Sequence, residues 1–281
     1  MRWTPGGSDD VEDRRGQGGG GGGLKLGLGG ILVLGVLSLI FKTDLVSPFL
    51  GNVGGSGRAV SSGAPDEARK AREETISQFA TAVFKDVQDT WARVLPEEGA
   101  RYVRSKLVLF WDATESACGA AESATGPFYC PGDQKVYIDL GFYDELKQRF
   151  AAPGDFAQAY VLAHEVGHHV QDLLGTERKV RQLQKANPEQ ANELSVRMEL
   201  QADCYAGVWG FHAGKNGMLD AGDVEEGLNA ASAIGDDRIQ KMAGRSVQPE
   251  SFTHGSSAQR VGWFKRGFAS GKVSDCNTFA R

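Results

Sequence analysis

Apolar side chains in the later part of the chain follow two different periods, which predict different elements. Between Pro65 and Leu95 they recur every three or four residues, the period of one helix face, and Pro96 then marks the end of that helix. Two shorter runs, Lys106–Trp111 and Lys135–Leu140, are rich in residues that favour strands. The second run alternates apolar with polar side chains, which predicts a half-buried strand.

Two further helices are predicted from their start and end signals. Asp155 has the character of an N-cap, with Gln158 at the third helical position, and opens a helix that continues to Leu174. Asn187-Pro188 repeats this arrangement and opens a second helix that continues to about Phe211. These elements together predict a mainly helical α+β domain with one small sheet.

The amino-terminal part has a different composition. Residues 1–23 are polar and end in a run of glycines, so we expect a disordered leader. Leu24–Phe41 is apolar apart from Lys25, and as a helix it would be about 27 Å long, close to the roughly 30 Å of a hydrocarbon core. We therefore predict one transmembrane helix at residues 24–42, a flexible linker at 43–64 and a folded domain at 65–281.

Charge around the apolar segment predicts its orientation. Basic residues are more numerous before the segment than after it: Arg2, Arg14, Arg15 and Lys25 precede it, and Lys42 and Arg58 follow it. The positive-inside tendency then places the amino terminus in the cytoplasm and the folded domain outside, as in a single-pass membrane protein held by the lipid bilayer. A cleaved signal peptide is the alternative, which the long leader and the lack of a small-residue cleavage site disfavour.

The overall charge narrows the range of partners. The chain has 31 basic and 36 acidic residues, which gives a formal net charge of −5. A negative body without clusters of basic residues argues against nucleic acid as a partner.

The sequence His164-Glu165-Val166-Gly167-His168 lies inside the first of the two capped helices. Residues four apart lie on one face of a helix, so both imidazoles can bind one metal ion. Glu165 projects beside that face, where a carboxylate can take a proton from metal-bound water. The alternative is a pair of surface histidines, which the apolar residues of Tyr160–Ala163 disfavour. His169 points away from this face and is predicted to be structural.

A catalytic zinc site needs a third protein ligand, which the second capped helix offers. Position 174 is leucine, so the extended pattern with a third histidine on the same helix is absent. Glu199 and Asp203 lie on one face of the later helix. We predict Glu199 as the third ligand of one Zn²⁺ ion and Asp203 as the acceptor for the free ring N–H of a ligating histidine. A solvated acidic face is the alternative interpretation of this pair.

These segments resemble the bacterial family of neutral zinc metallopeptidases. The residues that carry the resemblance are His164–Gln171, Glu199–Trp209, Cys118-Gly119, Gly126–Pro131 and Thr253–Ser257 with Arg260. The similarity extends over nearly everything after the linker and includes an amino-terminal membrane anchor. It implies a zincin fold of the gluzincin kind, in which the active-site helix lies under a small antiparallel sheet and a later helix supplies the third metal ligand.

His254 lies far along the chain, in a loop before a predicted helix at Ala258–Phe268. Zincins commonly use such a distant histidine to stabilise the oxyanion of the tetrahedral intermediate, which makes His254 a second candidate catalytic residue beside Glu165. A capping or packing role is the alternative, and the sequence favours neither.

The leading hypothesis is a membrane-anchored zinc endopeptidase that faces the cell envelope and hydrolyses a peptide or protein substrate. Zinc held by His164, His168 and Glu199 would activate water, with Glu165 as the general base. The strand Lys135–Leu140 would offer an edge to which an extended substrate adds. Two alternatives stay open: zinc-dependent hydrolysis of a cell-wall amide, and a zinc-bearing binding or scaffold protein without turnover, against which the intact glutamate argues.

The four cysteines suit an exported domain: Cys118, Cys130, Cys204 and Cys276. Four cysteines can pair in three ways, and none of the spacings is the C-x-x-C of a zinc cluster or redox motif. We expect a local link between Cys118 and Cys130 and a longer one between Cys204 and Cys276, which would join the residue after Asp203 to the carboxyl-terminal tail. Four free thiols are the alternative.

Overall fold

A computed structural model describes residues 1–16, 67–122 and 126–280. The chain divides into two compact units, one made of residues 1–18 with 71–281 and the other of residues 19–70. The larger unit contains every element discussed below apart from the first few residues of its longest helix.

The predicted anchor at 24–42 and the predicted linker at 43–64 lie outside the described residues. Within the three described ranges, no helix combines the length and the apolar character needed to cross a membrane.

Helices dominate the described part of the chain. They are α1 (Glu67–Glu97), α2 (Phe142–Gln148), α3 (Asp155–Leu173), α4 (Thr176–Ala186), α5 (Ala191–Lys215), α6 (Asp223–Ala233), α7 (Asp236–Met242) and α8 (Ser257–Ser270), with short 3₁₀ turns at Pro188–Gln190, Pro249–Ser251 and Val273–Cys276. The strands are β1 (Val11–Asp13), β2 (Lys106–Phe110), β3 (Ala113–Ser116), β4 (Gly119–Glu122), β5 (Phe128–Cys130) and β6 (Lys135–Asp139). The architecture is therefore α+β and mainly helical with a small sheet, as the sequence predicts.

The larger sheet has the strand order β1-β2-β6-β5. Strand β2 pairs in parallel with both β1 and β6, whereas β5 is antiparallel to its neighbour β6. The expectation of an antiparallel sheet is therefore wrong for the four-stranded sheet, which is mixed, whereas β3 and β4 form a separate two-stranded antiparallel sheet. The chain re-enters the sheet at β6 in the direction of β2, because the hairpin of β3 and β4 and the reversed strand β5 lie between them.

Strand β6 is an inner strand and not an edge. Its neighbours β2 and β5 occupy both sides of its backbone, and Val136–Asp139 is buried. Both expectations for this strand are therefore wrong: it is not half-buried, and it cannot receive a substrate by edge pairing. The alternation of apolar and polar residues misleads because the polar residues of β6 are buried and form hydrogen bonds. Tyr137 donates to Asp133 at 2.7 Å, and the carboxylate of Asp139 accepts two backbone N–H bonds.

Residues 1–16 are part of the folded domain. Within β1, Val11 lies opposite Leu107 in a parallel ladder with β2. The expectation of a disordered leader is therefore wrong for these residues. The charged side chains that suggest disorder have partners on the domain, such as Lys135, whose ammonium nitrogen lies 2.7 Å from Glu12.

Helix α3 runs through the hydrophobic core. Phe156 and Tyr160 near its start are fully buried, and Phe156 stacks on Trp209 of α5. Full burial of a side chain of this size contributes about 1.5–3 kcal/mol, so these anchors hold α3 firmly in the core.

The helices α1, α3, α5 and α8 correspond to predicted helices, whereas α2, α4, α6 and α7 are not predicted. Helix α3 starts close to the predicted position, but Gly154 is its N-cap and Asp155 its first residue, so the predicted N-cap role of Asp155 is wrong. Helix α5 begins after the 3₁₀ turn that Asn187-Pro188 opens and continues beyond Phe211 to Lys215. Helix α4 is not predicted, because Val180 is the one fully buried side chain that this short polar helix contributes to the core.

Both expected disulfides are confirmed. Cys118 is bonded to Cys130, which ties the β3–β4 hairpin to β5. Cys204 of α5 is bonded to Cys276 in the last 3₁₀ turn, across a sequence separation of 72 residues. All four cysteines are thus paired, and the alternative of four free thiols is wrong.

Candidate metal centre

The two motif histidines lie one turn apart on the buried helix α3. Their rings are nearly perpendicular, with centroids 4.8 Å apart. His164 is buried and His168 is half-buried, so the pair lies at the boundary between the core and an open cleft.

Glu199 of α5 completes a group of three potential metal ligands. Its Oε2 lies 3.2 Å from Nε2 of His164, and its Oε1 lies 3.5 Å from Nε2 of His168. One ligand atom from each of these three residues lies within 4.8 Å of the other two. The structure brings together the three residues that the sequence predicts as ligands, and metal binding by them stays a prediction.

Small residues bring α3 and α5 close together between the ligands. A Cβ atom added at Gly167 would lie 3.1 Å from both the Cα and the carbonyl oxygen of Ala202. Gly167 lies between the motif histidines, and Ala202 lies between Glu199 and Asp203. This contact therefore sets the spacing of the two helices that bear the ligands.

A buried network of charged groups binds His164 at Nδ1, the ring nitrogen that faces away from Glu199. Nδ1 of His164 lies 2.9 Å from Oδ1 of Asp203, and Arg260 binds the same carboxylate through Nε at 2.8 Å and Nη2 at 2.9 Å. The hydroxyl of Tyr160 donates to Asp203 and accepts from Arg260. In the neutral, metal-binding form of His164, Asp203 accepts the ring N–H at Nδ1 and the lone pair lies at Nε2, on the side of Glu199.

The electrostatics of these groups favour a positive charge between them. Burial lowers the pKa of His164, but the charge and hydrogen bond of Asp203, together with Glu199, raise it to about 10. Burial raises the pKa of Glu199, and the two histidines outweigh it and bring that pKa well below its ordinary value. Arg260 and His164 likewise keep the pKa of Asp203 low against the effect of burial. Two imidazole nitrogens and an ionised carboxylate in such surroundings suit a divalent cation such as Zn²⁺.

A chain of neutral amides holds His168 from behind. Nδ1 of His168 lies 2.9 Å from Oε1 of Gln171. Nε2 of Gln171 donates to the carbonyl oxygen of Met198 at 2.7 Å and to Gln201 at 3.1 Å. Gln201 in turn donates to the backbone carbonyl of Cys276 at 2.9 Å. These hydrogen bonds thus connect the candidate ligand His168 with the disulfide-bonded carboxyl-terminal tail.

Glu165 lies beside the candidate ligands in a buried position. Burial raises the pKa of its carboxyl group, and the charges of His164 and His168 partly counteract this rise. The backbone N–H of Tyr129 on β5 also counteracts the rise of this pKa. A carboxyl group with a raised pKa is suited to accept and release a proton near neutral pH.

The candidate ligands open onto a cleft of about 620 Å³. Its walls come from β5, α3, α4, α5 and the loop that precedes α8. His254 lines this cleft together with His164, Glu165, His168 and Glu199, so the structure places the distant histidine in the same site.

His254 is oriented by Asp236 at the start of α7. Its Nδ1 lies 3.2 Å from Oδ1 of Asp236, and Oδ2 of Asp236 accepts the backbone N–H groups of residues 253–255 at 2.7–3.0 Å. The hydrogen bond to Asp236 is the main cause of a raised pKa of His254, to which the charge of Glu199 adds against the effect of burial. With 51% of its side chain exposed, His254 has the surroundings of a cleft residue more than those of a packing residue.

His169 has a structural role, as predicted. It is fully buried, with Nε2 2.6 Å from the carbonyl oxygen of Val103 and Nδ1 3.0 Å from the hydroxyl of Tyr129. Burial lowers the pKa of its imidazole, which therefore stays neutral.

Four supporting residues receive no role in the sequence analysis: Tyr160, Gln171, Gln201 and Arg260. Three of them carry a local signal, because Tyr160 lies one turn before His164, Gln171 lies three residues after His168, and Gln201 lies between the two acidic residues of α5. Arg260 appears in the sequence only as part of the resemblance, since its partner Asp203 is 57 residues away.

An H-E-x-x-H helix, a carboxylate from a later helix and a buried glutamate facing a cleft are the groups that a zinc metallopeptidase centre requires. The chain belongs to the family described as "Putative neutral zinc metallopeptidase", whose model matches residues 1–279.

Relatives of this chain occur in distant bacteria. It is 48% identical to the "Uncharacterized protein YpfJ" of Escherichia coli K12 over 291 residues, which cover 100% of this chain and 99% of the relative. It is 40% identical to the "Uncharacterized protein Rv2575" of Mycobacterium tuberculosis H37Rv over 210 residues, which cover 71% of this chain and 69% of the relative. No solved structure matches the chain.

Proposed function

We propose that this protein is a zinc-dependent peptidase that hydrolyses peptide bonds. The observation that carries the proposal is the convergence of His164, His168 and Glu199 beside the buried carboxylate of Glu165, in one cleft. Membership of a family described by its zinc and its peptidase activity supports both the metal and the reaction class.

The ligand set consists of the two imidazoles and the carboxylate of Glu199. When bound, zinc supplies a Lewis acid that polarises the scissile carbonyl and makes the attacking water more acidic. Glu165 takes a proton from that water as the new C–O bond forms, and passes it to the amine nitrogen as the C–N bond breaks. The raised pKa of Glu165 supports this role, because the carboxyl group can hold the proton between the two steps.

His254 is assigned to the oxyanion that forms on the carbonyl oxygen. Its Nδ1 faces Asp236, which leaves Nε2–H to donate to a negatively charged oxygen in the cleft. The raised pKa of His254 keeps this donor protonated over a wider pH range.

The backbone of the substrate is assigned to strand β5. This strand lies at the end of the sheet, and Phe128 and Tyr129 both line the cleft. An extended peptide can add to such an edge through backbone hydrogen bonds. We therefore assign substrate pairing to the edge strand β5 and not to β6, the strand proposed in the sequence analysis.

We also propose that the domain lies outside the cytoplasm and is attached to a membrane through residues 24–42. The two disulfides support an oxidising compartment. The apolar sequence of Leu24–Phe41 supports the attachment.

Purified full-length protein and its Glu165→Gln variant test the assignment. The natural protein is expected to contain one zinc ion per chain and to cleave unfolded casein. Glu165→Gln should keep the zinc and lose hydrolysis, because it removes the general base without removing a ligand. Elemental mass spectrometry and release of casein peptides measure the two properties. Glu189→Gln, in the exposed turn before α5, is the matched control and should keep both.

Turnover at the natural rate in Glu165→Gln would rule out the mechanism. Glu199→Ala separates ligand from base, since it should lose zinc as well as activity. Unchanged zinc content in that variant would mean that the third ligand is another residue.

A further inference from the structure

The amino-terminal segment, residues 1–16, is held by the domain that carries the candidate metal centre. Its strand β1 forms one edge of the four-stranded sheet, with Val11, Glu12 and Asp13 opposite residues 107–109 of β2. The backbone N–H of Leu107 donates to Asp10 at 2.7 Å, and that of Arg14 donates to Leu109 at 2.8 Å. The segment is therefore part of the sheet by its main chain, independently of its side chains.

Side-chain contacts with α1 occur near both ends of the segment. Trp3 packs edge to face on Phe79 of α1, with ring centroids 5.6 Å apart. Near the other end of the segment, Arg15 donates to the carbonyl oxygen of Glu73 at 3.1 Å. These contacts fix the segment against α1 as well as against the sheet.

The basic residues that suggest a cytoplasmic amino terminus are engaged in ion pairs within this domain. Arg2 lies 2.7 Å from Asp220, Arg14 lies 2.9 Å from Glu12, and Arg15 lies 2.5 Å from Asp13. Asp220 belongs to the body of the domain, whereas Glu12 and Asp13 belong to the amino-terminal segment itself, so the Arg2 pair adds a direct link between the segment and the body.

A hydrocarbon core about 30 Å thick would separate two segments on opposite sides of a membrane. The backbone contacts of β1 with β2 are shorter than that by an order of magnitude. We infer that residues 1–16 and residues 71–280 occupy the same side of any membrane that the chain meets. This inference replaces the expectation that the amino terminus and the folded domain lie on opposite sides of the membrane, and it depends on the fold and not on the proposed peptidase activity.

Two single-cysteine variants of the full-length chain test the inference. Gly6 in the amino-terminal segment and Gly262 on α8 are both exposed, and a Cβ atom at either position would have no neighbour within 4 Å. Gly6→Cys and Gly262→Cys therefore introduce a thiol on each part with little disturbance, while the four natural cysteines are consumed in disulfides. Bacterial cells that express each variant are converted to spheroplasts and treated with a membrane-impermeant maleimide, before and after lysis.

The expected result is that both cysteines are labelled to the same extent before lysis, relative to their labelling after lysis. Labelling of both before lysis also agrees with the extracytoplasmic location proposed above, whereas protection of both supports the shared side and contradicts that location. Full labelling of one position with protection of the other overturns the inference. The labelling experiment tests only whether the two parts share a side of the membrane. Its outcome is therefore separate from that of the peptidase test.

Discussion

His164 and His168 direct the same ring nitrogen toward one carboxylate, but the groups behind them differ. Behind His164 lies a buried ion pair, Asp203 with Arg260. Behind His168 lies a chain of uncharged amides that begins with Gln171. The two candidate ligands therefore share one partner at Nε2, the carboxylate of Glu199, and have different partners at Nδ1.

The difference indicates that the two supports act differently on a bound metal. A carboxylate acceptor fixes the ring and also raises the basicity of the imidazole, whereas an amide acceptor mainly fixes the ring. A substitution in the charged support should also lower the free energy of unfolding more, since removing one partner leaves a buried charge without compensation. We expect the His164 side to dominate both stability and metal affinity.

The largest effect is expected from Arg260→Met. Loss of the guanidinium leaves Asp203 buried without its counter-ion, which should lower the free energy of unfolding by about 3–5 kcal/mol. Urea unfolding of the full chain measures this change. Lys265→Met, on the exposed side of the same helix, is the matched control and should stay within about 0.5 kcal/mol of the natural protein. Equal effects of the two substitutions would contradict a charged support.

The next effect concerns metal affinity on the His164 side. Asp203→Asn keeps the shape of the side chain but removes the negative charge behind the ring, and should weaken zinc binding by about 10- to 100-fold. Competition with a chromogenic chelator measures the dissociation constant. An unchanged constant would mean that Asp203 serves the fold alone.

A smaller loss is expected on the His168 side. Gln171→Leu removes the neutral acceptor behind the ring, and should weaken zinc binding by about tenfold or less. Gln158→Leu, earlier on the same helix and outside the set of cleft residues, is the control. If Gln171→Leu weakens binding as much as Asp203→Asn, the proposed difference between the two supports is wrong.

The smallest effect extends the comparison to a third histidine, His254, which also has a carboxylate behind it. Asp236→Asn should lower the pKa of His254 toward the ordinary value of about 6.5, since the hydrogen bond to Asp236 is the main cause of its rise. If the protonated ring assists the reaction, activity is lost as the pH rises through this pKa. The alkaline limb of the kcat/KM profile should therefore move to lower pH.

The neighbouring carboxylate provides the control for that profile. Asp237 binds the backbone N–H and hydroxyl of Ser257 and not His254. Asp237→Asn should therefore leave the alkaline limb in place. An unchanged limb in Asp236→Asn as well would assign His254 to a structural role.

Helical periodicity accounts for most of what the sequence could predict about the centre. His164, Glu165 and His168 are close in sequence, and Glu199 lies one turn from Asp203, so the spacing alone places each group on one helix face. Packing of α3 against α5 then brings the two faces together. Arg260 could not be given its role in this way, because nothing near it in sequence indicates a buried carboxylate partner.

The sheet was harder to predict than the helices. Strand direction depends on how the chain crosses over between β2 and β6, which no local pattern records. Strand β1 escapes prediction because its three residues are mostly charged, and their partners lie about a hundred residues away. The inner position of β6 is also not evident from the sequence, since Tyr137 and Asp139 are buried although their residue types are typical of exposed positions.

The close contact of α5 with α8 has a consequence for how this protein can change by mutation. A Cβ atom at Gly267 would lie 1.9 Å from the carbonyl oxygen of Cys204, and one at Gly207 would lie 2.1 Å from that of Phe264. Both obstacles are main-chain atoms, so no second substitution can make room by shortening a side chain. Revertants of a change at either glycine should therefore be true reversions and not second-site suppressors, and the helix pair that joins Arg260 to Asp203 should evolve as one unit.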